Sequence, residues 1–326
     1  MPHQNAIKQL HTYGPLAARL DSLTDEVDKA GGERELWEAK LKNFIEFFDA
    51  NKLAGLVEQL SRDPYAYNRE LAAATILCLW TGWKIIPYNG DMDAHKSQAR
   101  EHAAKLDWTF PVLARLFADK RLGPVEWAIL VASEIEHASE QRIKEYRAHL
   151  LRASKSRFSD LRLEVVRRLY NLYPSNDDGR HTLDQPAMDF MISSTKDPDI
   201  RVRDWACFEL WLCVENLDER AEQAFRRVIR KEHPDSDVYL EAVTGLARMT
   251  GGKDVEDIIR ANLERDDFGK GWMDAAEQSH STESLDALLQ AHRRLTAEDP
   301  SDNRIGAIED VLEAWNDDLG TWEFRL

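Results

Sequence analysis

Three Glu-His dipeptides, Glu101-His102, Glu136-His137 and Glu232-His233, carry the residue types that hold iron or zinc, because a neutral imidazole and a carboxylate are both good donors to such ions. Asp91, Asp93 and His95 form an Asp-x-Asp-x-His run that suits a hard or borderline metal, though further ligands from elsewhere in the chain would be required. A stretch rich in capping residues just before a helix accounts for that run equally well. Cys78, Cys207 and Cys213 each sit among apolar neighbours in a helical pattern, where a reduced cysteine acts as a small hydrophobe. A nucleophilic thiolate needs an electropositive setting instead. There is no phosphate loop, no Gly-x-Ser-x-Gly and no Cys-x-x-Cys. The expectation is therefore no catalytic residue, no metal and no cofactor.

Charge points toward a partner. The 326 residues carry a formal net charge of −16, and the 74 residues from Lys253 to Leu326 hold 19 Asp and Glu against 8 Lys and Arg, a local balance of 8 − 19 = −11. Such a field repels phosphate backbones and attracts cationic surfaces, which argues for a basic protein as partner and against nucleic acid. Simple solubility accounts for the same acidity. The longest apolar runs, such as Ala72 to Trp80, stop well short of a membrane span, and Met1 to Leu20 lacks the basic start and apolar stretch of a secretory signal. Cytoplasm is the expected compartment. Oligomeric state is not legible.

The elements that would position these residues are helices. Three Asp-Pro pairs, Asp63-Pro64, Asp197-Pro198 and Asp299-Pro300, each follow one helical pattern and precede another, with separations of 134 and 102 residues. Those are close to four and three units of about 34 residues. Asp is expected to cap the coming helix, while Pro ends the previous one and tolerates the next helix's first turn. His233-Pro234-Asp235 is a variant of the same turn. Val202, Ala206 and Leu210 lie at i, i+4 and i+8, a ladder repeated by Leu161, Val165 and Leu169 and by Val238, Ala242 and Leu246. Arg203 and Arg162 follow the first apolar residue, and Arg69, Ala72 and Ile76 match in an earlier unit.

Thr195 to Trp211, with Asp197-Pro198, Val202-Arg203-Asp204-Trp205-Ala206 and Leu210, resembles a unit of bacterial HEAT-repeat proteins, over roughly residues 145 to 316. The resemblance implies an all-α fold, a right-handed α-α superhelix of about seven stacked helix pairs with an irregular N-terminal cap. It implies no particular reaction. The expected organisation is a cap over 1–60, degenerate repeats over 61–139 with an inserted loop at 84–94, HEAT-like repeats over 140–316, and a tail over 317–326 whose Trp322 and Phe324 cover the last repeat. Helical-repeat hydroxylases that hold a di-iron centre use paired His-Glu motifs; here the order is reversed and the dipeptides are not at equivalent repeat positions. HEAT-like DNA glycosylases use a basic groove, whereas Arg226, Arg227, Arg230 and Lys231 cluster only locally. A solenoid enzyme of either kind is the alternative reading.

Steps of 100° along Ile200 to Val214 place Val202, Ala206, Leu210 and Cys213 on the core arc and Asp204 and Trp211 opposite, on a strip expected to line the concave face. Tyr170 is the equivalent of Trp211 one unit earlier. An exposed Trp or Tyr beside acids has the composition of a protein-binding hot spot, although Trp211 packed against Tyr170 or a nearby loop fits the pattern too. The expected partner-binding residues are Asp204, Trp211, Tyr170, Asp266, Asp267, Trp272 and Asp274. Glu209 falls inside the apolar arc and needs an Arg partner or a route to water. The expected function is a non-catalytic scaffold whose acidic concave or C-terminal surface captures a basic partner protein, one version being an immunity protein that neutralises a cationic toxin.

Overall fold

The computed structural model describes residues 14–30, 34–47, 50–85 and 90–319. These residues form α-helices and three short 3-10 turns, with two isolated bridges, Ser175 to His181 and His181 to Val214, as the extended pairing among them. The chain divides into two compact units, Met1–Tyr173 and Pro174–Leu326. The fold is an α-α solenoid of helix pairs, and each unit shows that layering by itself.

Unit 1 contains α1 (Gly14–Lys29), α2 (Arg34–Phe47), α3 (Ala50–Ser61), α4 (Ala66–Thr81), α5 (Met92–Lys105), α6 (Thr109–Phe117), α7 (Leu122–Leu130), α8 (Glu140–Ala153) and α9 (Ser159–Arg168). Helices α3/α4, α6/α7 and α8/α9 pair, with α4, α7 and α9 stacked in one row and α3, α6 and α8 in the other. Helix α1 packs on α4. Unit 2 contains α10 (Gln185–Ser194), α11 (Ile200–Cys213), α12 (Glu219–Lys231), α13 (Asp237–Thr250), α14 (Glu256–Leu263), α15 (Lys270–Ser279), α16 (Thr282–Glu298) and α17 (Asn303–Leu319). Its odd-numbered helices stack in chain order as one row, and α10 with α12 and α14 with α16 pack behind them. The ladder residues Val202, Ala206, Leu210, Val238, Ala242 and Leu246 are all buried, the two alanines fully, so that successive helices approach closely.

The turns differ from the expected capping in a specific way. Asp197 Oδ1 accepts from the Asp199 amide at 2.9 Å and Asp63 Oδ1 from the Tyr65 amide at 2.8 Å, so the Asp of each pair shapes the turn two residues ahead. The cap of α11 is Asp199, whose side chain accepts from the Arg201 amide. The arginine of the ladder closes the same turn from behind: Arg69, Arg162 and Arg203 each donate through Nη1 to the carbonyl six residues earlier, of Asp63, Ser156 and Asp197, at 2.7, 2.8 and 2.9 Å. Arg203 also forks onto Glu232, with Nε to Oε1 at 2.8 Å. That uses the carboxylate of one Glu-His dipeptide structurally.

Within the stretch expected as an inserted loop, 84–94, helix begins earlier than expected. Gly82–Ile85 is a 3-10 turn and α5 begins at Met92, because Asp91 accepts from the amides of Asp93 and Ala94 and caps the helix. Asp93 and His95 are thus helical residues. Trp322 and Phe324 lie outside the described residues. One glycine is needed for close approach: a Cβ on Gly245 of α13 would sit 2.4 Å from Cζ of the buried Phe225 on α12. Gly245→Ala is expected to lower stability by about 1–3 kcal/mol through overpacking, outweighing the helix-propensity gain of about 1 kcal/mol. A urea titration showing a higher midpoint than wild type would contradict this.

Candidate functional site: an acidic row on stacked helices

Four carboxylates gather on three neighbouring helices of unit 2: Asp204 on α11, Asp237 and Glu241 on α13, and Asp274 on α15. With Ala206, Ala242 and Ala276 set in the same ladder position, Asp204 and Asp274 share a register two repeats apart. Glu241 lies between them.

The electrostatics of Asp204, Glu241 and Asp274 are dominated by burial. Burial pushes the Glu241 carboxyl up to about 7, a hydrogen bond from Trp211 lowers it, and the charges of Asp204, Asp274 and Asp237 push it further up. Burial, with Asp237 beside it, pushes Asp204 up to about 6. Asp274 is raised by burial and lowered by Lys270. Among the described residues none of the four carboxylates makes an ion pair, and Asp204 Oδ1 is enclosed with no hydrogen-bond partner. Other neighbouring acids of unit 2 are matched: Arg265 bridges Asp235 and Asp267 at 2.9 and 3.0 Å, and Arg304 grips Asp302.

The aromatic residues organise this row from beneath. Trp205, Phe208 and Trp211 follow one another along α11 with edge-to-face centroid separations of 5.4 and 5.6 Å. Trp211 is 7% exposed, and its Nε1–H donates to Glu241 Oε2. The expectation that its ring is an exposed anchor is thereby corrected. A helical wheel places Trp211 off the core arc, but α13 covers that side and supplies an acceptor for its N–H. Glu209 is 2% exposed, inside the helix layer.

Of the expected residues, Asp204, Trp211 and Asp274 come together around Glu241. Trp272 is buried and, with Asp267, lines a separate cavity of about 300 Å³ whose wall also includes Asp237. That cavity adjoins the row through Asp237. Asp267 is held below the usual carboxylate range by Arg265, and Asp266 serves through its backbone, accepting from Arg304 Nη1 at 2.7 Å. Tyr170 lies in unit 1, on the 3-10 turn Tyr170–Leu172, and is half-buried. Glu241 and Asp237 were not expected. The signal for Glu241 was its spacing: it extends Asp237 by one turn of the same helix.

The histidine motifs separate. His102 Nε2 bonds the Leu79 carbonyl at 2.8 Å, His137 lies 3.6 Å from its own neighbour Glu136, and His233 faces Asp235 at 3.6 Å. Among the described residues no group of three or more His, Cys, Asp or Glu side chains is placed to hold a metal ion. No helix among them is long and apolar enough to cross a membrane.

No family model matches the sequence, and no curated protein does. Among solved structures, YibA of E. coli aligns over 93% of this chain and 97% of its own, with a TM-score of 0.53 and 13% identity, a likeness that concerns the fold alone. An engineered protein aligns over 98% of this chain and 92% of its own at 15% identity, and its TM-score of 0.44 carries no argument.

Proposed function

We propose that this chain is a non-catalytic protein-binding scaffold of the HEAT-repeat type, and that the acidic row of unit 2 receives a lysine- or arginine-rich segment of a basic partner protein. The observation that carries the reading is a set of neighbouring carboxylates on stacked helices, Asp204, Glu241 and Asp274, each raised in pKa by burial and none of them in an ion pair among the described residues. Holding such groups together costs free energy in the free protein, and a bound ammonium or guanidinium relieves that cost while drawing the carboxyls back to their ionised form. A partner that neutralises them by binding is favoured over nucleic acid, whose phosphates the same field repels. The immunity-protein version belongs to this proposal, with the toxin as the cationic partner. The cytoplasm does too, supported by the packing of Cys78, whose thiol burial pushes up to about 12, as a small apolar group.

An oligolysine peptide tests it by titration calorimetry at pH 8. Affinity is expected to fall by about tenfold or more between low salt and a few tenths molar. Asp204→Asn/Asp274→Asn is expected to cost about tenfold at low salt, two charge contacts at about 0.7 kcal/mol each. Asp257→Asn/Glu283→Gln, an equal charge change at exposed positions on α14 and α16, should leave affinity within about twofold. Equal losses from the two pairs would reduce the effect to net charge and sink the proposal.

A further inference from the structure

Unit 1 carries a cavity that the acidic row does not involve. It encloses about 320 Å³, near the lower end of the roughly 300–1,000 Å³ typical of small-molecule sites. Val27 of α1, Leu77 and Cys78 of α4, and Trp127 and Leu130 of α7 supply apolar walls, while Lys84, Ser133, Glu134 and Arg168 supply a polar end. Apolar walls with a few convergent polar groups are the composition of a ligand pocket.

Glu134 gives the cavity its chemical preference. The residue is 7% exposed, so its carboxylate is held away from bulk water at the cavity wall. Its Oε1 is well supplied, accepting from Lys84 Nζ at 2.9 Å and from Ser133 Oγ at 3.3 Å. Oε2 is enclosed and has no hydrogen-bond partner among the described residues. A buried carboxylate oxygen without a donor costs on the order of 1–3 kcal/mol, so the site is built to gain from a donor. Arg168 does not supply it, since its Nε is committed to Glu164 Oε2 at 3.0 Å and its Nη1 to Ser133 Oγ at 3.4 Å. Lys84 already balances Glu134, and Asp28 and Arg168 bring one charge of each sign to the lining. The unmet need is a donor to a carboxylate oxygen, and a charged donor meets it most strongly.

We propose that this cavity binds a small aromatic amine, its ammonium donating to Glu134 Oε2 and its ring lying against Trp127, Leu77 and Leu130. The ammonium-carboxylate bond is charge-assisted and shielded, which makes it stronger than a neutral hydroxyl in the same place. A carboxylate in its stead would face Glu134 directly.

Three indoles that differ only at the end of the side chain test this by titration calorimetry on the full chain: tryptamine, tryptophol and indole-3-propionate. Tryptamine is expected to bind one to one, at least about tenfold more tightly than tryptophol, with indole-3-propionate weaker still. Glu134→Gln should lower tryptamine affinity about tenfold or more while leaving tryptophol nearly unchanged. Ala74→Trp, which fills the cavity from α4, should abolish binding of all three with the far-ultraviolet spectrum retained, and it serves as the independent arm if Glu134→Gln folds poorly. No tryptamine binding, equal affinity for all three indoles, or tryptamine binding that survives Ala74→Trp overturns the assignment.

Discussion

Replacing Trp211 by alanine should lower the unfolding free energy by about 3–5 kcal/mol, the range for deleting a buried indole. Its ring is packed edge-on against Phe208 and covered by α13, so the substitution removes apolar contact and leaves a cavity between two stacked helices. It also removes the N–H that donates to Glu241, whose raised carboxyl then loses the one interaction favouring its charged form besides any bound cation. Trp211→Phe separates the two effects. It keeps most of the apolar area and should cost less, about 1–2 kcal/mol, yet it should move the Glu241 titration upward as the alanine variant does. Denaturant titrations in which Trp211→Ala costs under about 1 kcal/mol would place this indole in solvent and restore the reading of an exposed anchor.

The second large effect is a dependence on pH. A glutamate in the unfolded chain titrates at an ordinary value near 4.5, whereas Glu241 in the fold is raised to about 7 by burial and by Asp204, Asp274 and Asp237. Between those values the folded state binds more protons than the unfolded state, so its stability falls as pH rises through the window, and the loss is complete above about 7. The shift corresponds to an upper bound on the order of 3 kcal/mol. Asp204, raised to about 6, loses in the same direction over a lower window. His137 and His149 work the other way, because burial lowers their pKa and the folded state gains as pH rises toward their ordinary value near 6.5. The difference between Glu241→Gln and wild type isolates the carboxylate: near zero at pH 4.5, growing to a stabilisation of about 1–3 kcal/mol at pH 8. A difference that is flat between those pH values would show that Glu241 is not raised.

The two effects tie stability to the proposed function. The same carboxylates that weaken the free protein above neutrality gain most from a cationic partner there, so affinity for oligolysine should rise with pH from about 5 to 8 and binding near pH 6.5 should release protons. An acidic patch that merely keeps the protein soluble has no reason to be desolvated over three repeats.

Apolar spacing carried the architecture. The i, i+4, i+8 ladders at residues 202–210 and 238–246 lie in helices with their apolar faces buried, the ladder at 161–169 ends one residue past its helix with Leu169 also buried, and the Asp-Pro pairs fall between helices. Local physics suffices for this, because a helix's period and its punctuation by Pro and Asp are properties of neighbouring residues. The arginine after the first ladder residue was visible as a recurrence, while its bond to a carbonyl six residues back became visible only in three dimensions.

The candidate site was half legible. Asp204 and Trp211 could be picked by type and wheel position and Asp274 by type, but the wheel of a single helix cannot say which neighbour covers a face. It therefore misjudged Trp211, and it passed over Glu241, which matters because it accepts from Trp211 and lies between two aspartates that belong to other helices. Repeat spacing and composition by themselves determined that this is a stack of helix pairs with a negative balance near its C-terminal end. Which carboxylates lose their water, and which indole supports them, was decided by the packing of α13 between α11 and α15, since desolvation and counter-ion supply depend on groups far apart in the chain.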